Sequence, residues 1–110
     1  MKEACLFCKI ALKEIPSQIV YENERFVAFK DIHPKAPTHL LVIPKKHLSK
    51  LYDASAEEKE LLGELLFIGK ELAQNSPSGE KGARFVINNG EWGGQEVDHL
   101  HLHVLAGKPL

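Results

Sequence analysis

Apolar positions in the middle of the chain predict one main helix. Between Leu61 and Leu72, large aliphatic side chains recur every three or four residues, which is the spacing of a single helix face. Ser55 and Glu58 precede this stripe and fit a capping box, in which each side chain satisfies a backbone N–H at the helix start. We therefore expect a helix over residues 55–75 that packs one apolar face onto the core.

Shorter apolar segments, rich in β-branched and aromatic residues, predict five strands. Segment 39–43 is apolar at every position after its histidine, as is typical of a central strand buried on both faces. A short helix closed by Pro16 is expected to precede the strands. Strands with one main helix packed on their sheet indicate an α+β fold. The predicted strands are 19–22, 25–30, 39–43, 84–88 and 99–105, and the short helix is 5–14.

Composition narrows the class of protein. With 110 residues, 44% of them hydrophobic, the chain has enough apolar material for one core, and we expect a single domain over 5–110. Lys and Arg number 14 against 15 Asp and Glu, a balance that argues against holding nucleic acid through bulk charge. No apolar run approaches the roughly 20 residues that span a bilayer, and no signal-peptide pattern opens the sequence. These features predict a cytoplasmic protein with no membrane partner.

Three histidines near the end of the chain alternate with aliphatic residues. On a strand, residues two apart share a face, so His99, His101 and His103 would point one way and their aliphatic neighbours into the core. At about 3.3 Å rise per residue, the outer two lie roughly 13 Å apart. Zinc–nitrogen bonds are about 2.0–2.1 Å long, so the trio cannot share one ion on a straight strand. An adjacent His-x-His pair remains able to chelate a metal.

The loop before these histidines has the composition of a phosphate site. It spans 88–97 and contains three glycines, which let backbone N–H groups approach an anion closely. Gln95 adds a side-chain donor. Neutral donors of this kind stabilise negative charge that develops on a phosphate under attack.

The histidine segment resembles the His-φ-His-φ-His-φ-φ signature of the histidine-triad (HIT) superfamily. Segments 26–31, 37–47 and 93–95 are similar to its Hint-like branch of purine nucleotide-binding hydrolases. The resemblance implies a five-stranded antiparallel sheet with one main helix. It also implies a homodimer in which the main helix and strand 84–88 meet their symmetry mates, giving a ten-stranded sheet.

The resemblance also implies a catalytic role for each matching residue. His101 would attack the α-phosphorus of an AMP or GMP derivative, and water would then hydrolyse the nucleotidyl-histidine intermediate. His103 would contact the phosphate and His39 would support the triad. Asp31 would accept the ribose hydroxyls. The implied nucleotide-binding residues are Leu6, Phe7, Phe29, Asp31, Ile32, Asn88, Gly94, Gln95, Glu96 and Val97, of which Leu6, Phe7, Phe29 and Ile32 would form the purine slot.

A C-x-x-C pair near the start of the chain points to metal or redox chemistry. No strand precedes Cys5, which argues against a thioredoxin-type motif, and a structural zinc ion needs four ligands. Zinc-binding bacterial members of the superfamily have a similar pattern, and this resemblance implies structural Zn²⁺ on Cys5, Cys8, His47 and His99. A pair of thiols without metal remains the alternative.

The sequence is compatible with several functions. The first is hydrolysis or transfer acting on nucleoside 5′-monophosphoramidates. A dinucleoside polyphosphate hydrolase, a nucleotide-binding scaffold protein with incidental hydrolysis, and a His-x-His metal hydrolase are the alternatives. Glu96 stands where some relatives carry Ser or Thr, so a hydroxyl that would assist the leaving group is absent at this position.

Overall fold

A computed structural model describes residues 5–110, in which a five-stranded antiparallel sheet carries one long helix on one face. The strand order is β1-β2-β3-β5-β4, so the strand that comes last in the chain lies between two earlier ones. This architecture confirms the predicted α+β class. None of the described helices is long and apolar enough to cross a membrane. The elements are α1 (Leu6–Ala11), β1 (Ile19–Glu22), β2 (Phe26–Lys30), β3 (Thr38–Pro44), α2 (Lys59–Gln74), β4 (Ala83–Val86) and β5 (Leu102–Ala106).

The long helix α2 begins as its sequence predicts, through a capping box. The Ser55 Oγ accepts a hydrogen bond from the Glu57 N–H, and the Glu58 carboxylate accepts one from the Ser55 N–H at 2.6 Å. The first turn is a 3₁₀ helix, and the α-helix proper starts at Lys59. The predicted start at residue 55 is therefore the cap, and the regular helix begins four residues later.

The sheet separates two apolar clusters, because alternate side chains of each strand point to opposite faces. On one face, Leu40 and Val42 of β3 pack with Leu102 and Val104 of β5 beneath α2. The other face is covered only in part by α1. The cluster on that second face consists of Cys5, Phe7, Cys8, Ile10, Val27, Phe29, Leu41 and Ile43.

Strand β5 begins later than predicted, which corrects the expectation that all three histidines lie on one strand. The His99 N–H donates to the Val97 carbonyl at 2.9 Å, and the Leu100 N–H donates to the Leu48 carbonyl at 2.7 Å. These bonds hold the backbone against neighbouring loops, so the ladder with β3 starts only at Leu102. Of the three histidines, only His103 belongs to the sheet.

Other boundaries differ for local reasons. Helix α1 ends at Ala11 instead of continuing to residue 14, because Lys13 adopts a left-handed conformation with φ 63°. The Glu14 N–H then donates to the Lys9 carbonyl, which is the Schellman pattern of helix termination. Strand β4 stops at Val86 and not at residue 88, since its last ladder partner is His103.

Candidate active site and metal centre

The part of the second sheet face that α1 leaves open holds a cleft of about 520 Å³, within the size range of small-molecule sites. Its apolar wall contains Phe7 and Phe29, whose rings pack edge to face with centroids 5.4 Å apart. Leu6 and Ile32 line the rim, and Ile32 is 84% exposed. All four residues of the predicted purine slot therefore line one cavity.

His101 lies in this cleft with one ring nitrogen already occupied. Its Nδ1–H donates to the His99 carbonyl at 2.7 Å, which leaves Nε2 as the nitrogen with a lone pair. The Phe7 ring packs against the imidazole, with centroids 5.1 Å apart and planes at 88°. A neutral imidazole held in a single tautomer has the form that a nucleophile requires.

His39 and His103 form a second, connected arrangement. The Lys35 N–H donates to Nδ1 of His39 at 3.1 Å, so the ring proton of His39 is on Nε2. That Nε2 lies 3.0 Å from Nδ1 of His103 and therefore donates to it. The remaining nitrogen of His103, Nε2, then carries a proton and is a donor available to an anion in the cleft.

Burial keeps these imidazoles uncharged. It lowers the pKa of His103 to about 4, and the nearby His101 and His39 add to the effect. The pKa values of His101 and His39 are also lowered, in both cases mainly by burial. The three rings, which we call the histidine cluster, are therefore neutral at pH 7.

The glycine-rich loop supplies the remaining polar edge of the cleft. Gly94, Glu96 and Val97 line the cavity beside the histidine cluster, as does Asn88. Gly94 has φ 78°, a left-handed conformation that side-chain-bearing residues seldom adopt. The amide of Asn88 donates to the Gly93 carbonyl at 2.8 Å, which fixes the loop against the end of β4.

Gln95 differs from the other predicted nucleotide-binding residues, because it does not line the cleft. Its Oε1 accepts from the Gly90 N–H at 2.7 Å, and its Nε2 donates to the carbonyls of Ser49 and Val97 at 2.6 and 2.9 Å. Both amide hydrogens are thus used inside the protein. In this structure Gln95 holds the loop in shape, and its phosphate contact stays a prediction.

Asp31 also lines the cleft, directly after the end of β2. Its Oδ1 accepts from the His33 N–H at 2.8 Å, and its Oδ2 lies 3.4 Å from Nε2 of His39. Asp31, His39 and His103 are close enough together to hold a metal, but His101 belongs to neither of the possible metal-binding groups within residues 5–110. The His-x-His chelate therefore finds no third ligand in the described part of the chain.

Two residues of the site carry no recognisable signal in the sequence. Lys35 acts through its backbone N–H, which any residue type would supply. Arg84 lines the cleft because β4 pairs with β5 and places alternate residues on the histidine face. Only the strand order, which the sequence does not specify, brings Arg84 to the site.

The four predicted metal ligands come together at the end of the cleft wall. Ligand atoms of Cys5, Cys8, His47 and His99 all lie within 4.8 Å of one another. The Cys5 Sγ is 3.2 Å from Nδ1 of His99, the Cys8 Sγ is 3.2 Å from Nδ1 of His47, and the two Nδ1 atoms are 3.2 Å apart. We call these four residues the cysteine–histidine cluster.

This geometry fits zinc. A tetrahedron with Zn–N bonds of about 2.0–2.1 Å and Zn–S bonds of about 2.3 Å has N···N and S···N edges of roughly 3.3–3.6 Å, close to the observed spacings. His99 is fully buried, and its Nε2 donates to the Pro44 carbonyl at 2.8 Å, which turns the Nδ1 lone pair toward the other ligands. The cluster is therefore suited to a structural Zn²⁺ ion.

Comparisons with known proteins agree with this geometry. The sequence model of the HIT domain matches residues 12–110. The chain is 43% identical over 110 residues to purine nucleoside phosphoramidase of Escherichia coli (strain K12), which covers 100% of this chain and 92% of that protein. A HIT family hydrolase from Legionella pneumophila Philadelphia 1 superposes with a TM-score of 0.92 at 50% identity, covering 96% and 94% of the two chains. A Zn-bound histidine triad family protein from Mycobacterium smegmatis superposes with a TM-score of 0.86 at 31% identity, covering 98% of this chain and 78% of that one.

Proposed function

Because the chain belongs to the HIT family, we propose that it is a purine nucleotide hydrolase or transferase of the nucleoside 5′-monophosphoramidase type. The observation that carries this proposal is His101, a buried neutral imidazole whose Nδ1–H is fixed and whose Nε2 is available in the cleft. The full-length similarity to a purine nucleoside phosphoramidase supports the substrate class.

The reaction proceeds in two displacements. The Nε2 lone pair of His101 attacks the α-phosphorus, an N–P bond forms, and the bond from phosphorus to the leaving nitrogen breaks. The leaving nitrogen keeps the electron pair and takes up a proton, so it departs as an amine. Water then attacks phosphorus and loses a proton, the N–P bond to His101 breaks, and the nucleotide is released with His101 restored.

The other cleft residues stabilise the phosphoryl group and hold the nucleoside. Nε2–H of His103 donates to a phosphate oxygen, in the tautomer that His39 imposes. Backbone N–H groups of the loop, at Glu96 and Val97, add neutral donors to the charge that develops there. The purine lies against the apolar wall that contains Phe7 and Phe29, and Asp31 accepts from the ribose hydroxyls.

Zinc supplies structure and not chemistry in this mechanism. Four protein ligands leave no open coordination position for a catalytic water. Cys5 and Cys8 flank Phe7, which contacts His101 directly. The cysteine–histidine cluster therefore holds the helix that orients the nucleophile.

The protein acts as a homodimer in the cytoplasm under this proposal. Three large apolar side chains remain exposed on α2 and β4, namely Leu66 at 53%, Phe67 at 60% and Phe85 at 39%. Strand β4 is also an edge of the sheet, with unpaired backbone groups along one side. A second copy meeting this face would cover both features. Besides this second copy, the protein binds the purine nucleotide. We expect neither nucleic acid nor a membrane to take part in its function.

Substitution of the nucleophile tests the assignment. His101→Ala should lower turnover of an adenosine 5′-phosphoramidate by at least a thousandfold while AMP affinity stays within about tenfold, because the purine slot is separate from the attacking nitrogen. Rapid-quench mass spectrometry of the wild-type protein should find an adenylyl group on His101. Lys59→Ala, which alters an exposed residue on α2 outside the cleft, serves as the control. Full activity in His101→Ala would overturn the proposal.

A further inference from the structure

Hydrogen bonds of the segment between β2 and β3 fix Asp31 beside His39. The Asp31 N–H donates to the His39 carbonyl at 3.0 Å, and the Lys35 N–H donates to Nδ1 of the His39 ring at 3.1 Å. The His33 N–H donates to Oδ1 of Asp31 at 2.8 Å, which holds the carboxylate in one orientation. The backbone of this segment therefore sets the distance between the carboxylate and the ring.

The Nε2–H of His39 has two acceptors close to it. Nδ1 of His103 lies 3.0 Å from that nitrogen and accepts its hydrogen bond, while Oδ2 of Asp31 lies 3.4 Å from the same nitrogen. The side chain of His39 is only 2% exposed, so water screens the attraction between ring and carboxylate in part. Because a carboxylate is charged, it is the stronger acceptor, and it weakens the bond that His39 donates to His103.

The charge of Asp31 acts on the whole histidine pair. Burial lowers the pKa values of His39 and His103, and the negative charge of Asp31 acts in the opposite direction on both. Among residues 5–110, no lysine or arginine forms an ion pair with Asp31. In the absence of a ligand this carboxylate therefore opposes the build-up of negative charge on a phosphoryl group in the cleft.

The register of the sheet places Asp31 near the middle of a bound nucleotide. Phe29, Leu41 and His103 are aligned in one row across β2, β3 and β5, so that two strand spacings of about 4.8 Å separate the first from the last. Asp31 and His39 lie two residues further along their strands, on the same side of the sheet. With the purine at Phe29 and the phosphate at His103, the ribose between them lies beside Asp31.

We propose that Asp31 is a positioning residue that couples ribose recognition to catalysis: ribose hydroxyls that donate to its carboxylate release the Nε2–H of His39 to His103. This inference rests on the proposed function. A ring that accepts a stronger hydrogen bond at Nδ1 is a stronger donor at Nε2, so His103 then stabilises the phosphoryl group more effectively. No covalent bond forms or breaks in this step. The site therefore selects ribonucleotides over deoxynucleotides in the rate of reaction as well as in binding.

Two substrates that differ only in the ribose test the coupling. Adenosine 5′-phosphoramidate and its 2′,3′-dideoxy counterpart share the scissile P–N bond. The wild-type kcat should be about tenfold lower for the dideoxy compound, the size of one hydrogen bond to a charged group. Asp31→Asn removes the charge and keeps an oxygen for the His33 N–H, so its kcat for the two substrates should agree within about twofold. Asp53→Asn, which alters an exposed carboxylate outside the cleft, is the matched control and should keep the tenfold difference.

A spectroscopic measurement separates this role from a merely structural one. In nitrogen-15 NMR, a stronger hydrogen bond to Nδ1 of His103 moves its resonance to lower chemical shift. Saturation of the wild-type protein with AMP should produce this change, and saturation with 2′,3′-dideoxy-AMP should leave the resonance near its position in the free protein. Both nucleotides carry the same phosphate, so the difference reports the ribose hydroxyls alone.

Each outcome has a distinct meaning. A kcat difference that is lost in Asp31→Asn, together with a His103 shift that only AMP produces, supports the coupling. A difference confined to KM, a kcat difference that persists in Asp31→Asn, or equal shifts with both nucleotides overturns the coupling and leaves the proposed function standing. The wild-type kinetics and spectra decide even if Asp31→Asn does not fold. Failure of the wild-type protein to hydrolyse adenosine 5′-phosphoramidate, or equal turnover in His101→Ala, overturns both.

Discussion

The tautomer of each cleft histidine is set by a single hydrogen bond to a backbone group or to another ring. The His99 carbonyl holds the proton of His101 on Nδ1, and the Lys35 N–H leaves the proton of His39 on Nε2. His39 in turn leaves the proton of His103 on Nε2. Neighbouring rings of the same residue type therefore present opposite functions to the cleft, a lone pair from His101 and a donor from His103.

Nitrogen-15 NMR can read these tautomers directly. We expect His101 as the Nδ1–H form and His103 as the Nε2–H form at pH 7. Because burial lowers the pKa of His103 to about 4, its ring should stay neutral until the pH approaches 4, well below the ordinary value of 6.5. An Nδ1–H form of His103, or a midpoint near 6.5, would contradict the arrangement.

The lowered pKa of His103 makes the stability of the folded protein decrease toward acidic pH. Between pH 6.5 and 4, the unfolded chain binds a proton at His103 that the folded protein does not, so the free energy of unfolding decreases as the pH falls through this range. Above pH 6.5 both states are neutral at this residue, and its contribution is constant.

The sequence could predict the residue types of the site better than their roles. The alternation of histidines identifies His101 and His103, and the C-x-x-C pair identifies the cysteines. The role of Gln95 could not be predicted, because it depends on Ser49, 46 residues away, whose carbonyl its amide contacts. Arg84 was missed for a similar reason, since its place depends on which strand neighbours β5.

At the scale of elements, helix α2 packs on β5 at a glycine, Gly69. A Cβ added to Gly69 would lie 2.5 Å from Cδ2 of Leu102 and 3.3 Å from Cγ2 of Val104. For Gly63, six residues earlier in the same helix, a Cβ added in the same way would have no heavy atom within 4 Å. The two glycines thus have the same intrinsic helix propensity and different surroundings.

Alanine at these two positions should change stability in different directions. Gly63→Ala should raise the free energy of unfolding by about 0.5–1 kcal/mol, the gain in helix propensity. Gly69→Ala makes the same gain in helix propensity, but overpacking against Leu102 lowers the free energy of unfolding by about 1–3 kcal/mol. Leu102 is buried and has little room to move, so the net effect should be destabilising. Urea unfolding of the two variants measures the difference. A Gly69→Ala protein as stable as Gly63→Ala would show that the helix and the sheet can separate without cost.

Helix α1 depends on the cysteine–histidine cluster, because six residues are too few for a stable isolated helix. Replacing Cys5 and Cys8 with Ser should lower the melting temperature by roughly 10 °C or more and weaken AMP binding, since metal bound only to the folded state stabilises it. Lys9→Ser alters the same helix without removing a ligand and is the control. Elemental analysis should find about one zinc per chain in the parent protein. Absence of zinc together with two titratable thiols would refute the site.

The late start of β5 shows where periodicity misleads. Residues 99–101 alternate as a strand should, yet their backbone bonds to Val97 and Leu48 instead of to β3. Leu100 still reaches the core beneath α2, as alternation predicts. The pattern of side chains therefore identified the buried face correctly. The hydrogen-bond partners of the backbone could not be predicted, because they include a loop near His47 that no local pattern specifies.

At the scale of the whole molecule, the exposed apolar face of α2 and β4 should join two copies. Sedimentation at micromolar concentration should give twice the chain mass of 12.3 kDa. Phe67→Glu should shift the mass toward one chain and weaken association at least tenfold, because it replaces the burial of an aromatic ring with a charge. Tyr52→Glu changes an aromatic residue outside α2 and β4 that is even more exposed, and it should leave the mass unchanged. A single-chain mass for the parent protein would contradict the dimer.

The position of β5 between β3 and β4 also matters during biosynthesis. A ribosome completes β1 to β4 before it reaches residues 102–106, so β3 and β4 have no partner between them until then. The nascent chain therefore presents open strand edges, which are sites of aggregation. Since the same late strand carries His103 and follows His101 directly, the sheet and the nucleophile become complete together. A chain that stops before residue 101 therefore lacks both the nucleophile and the strand that completes the sheet.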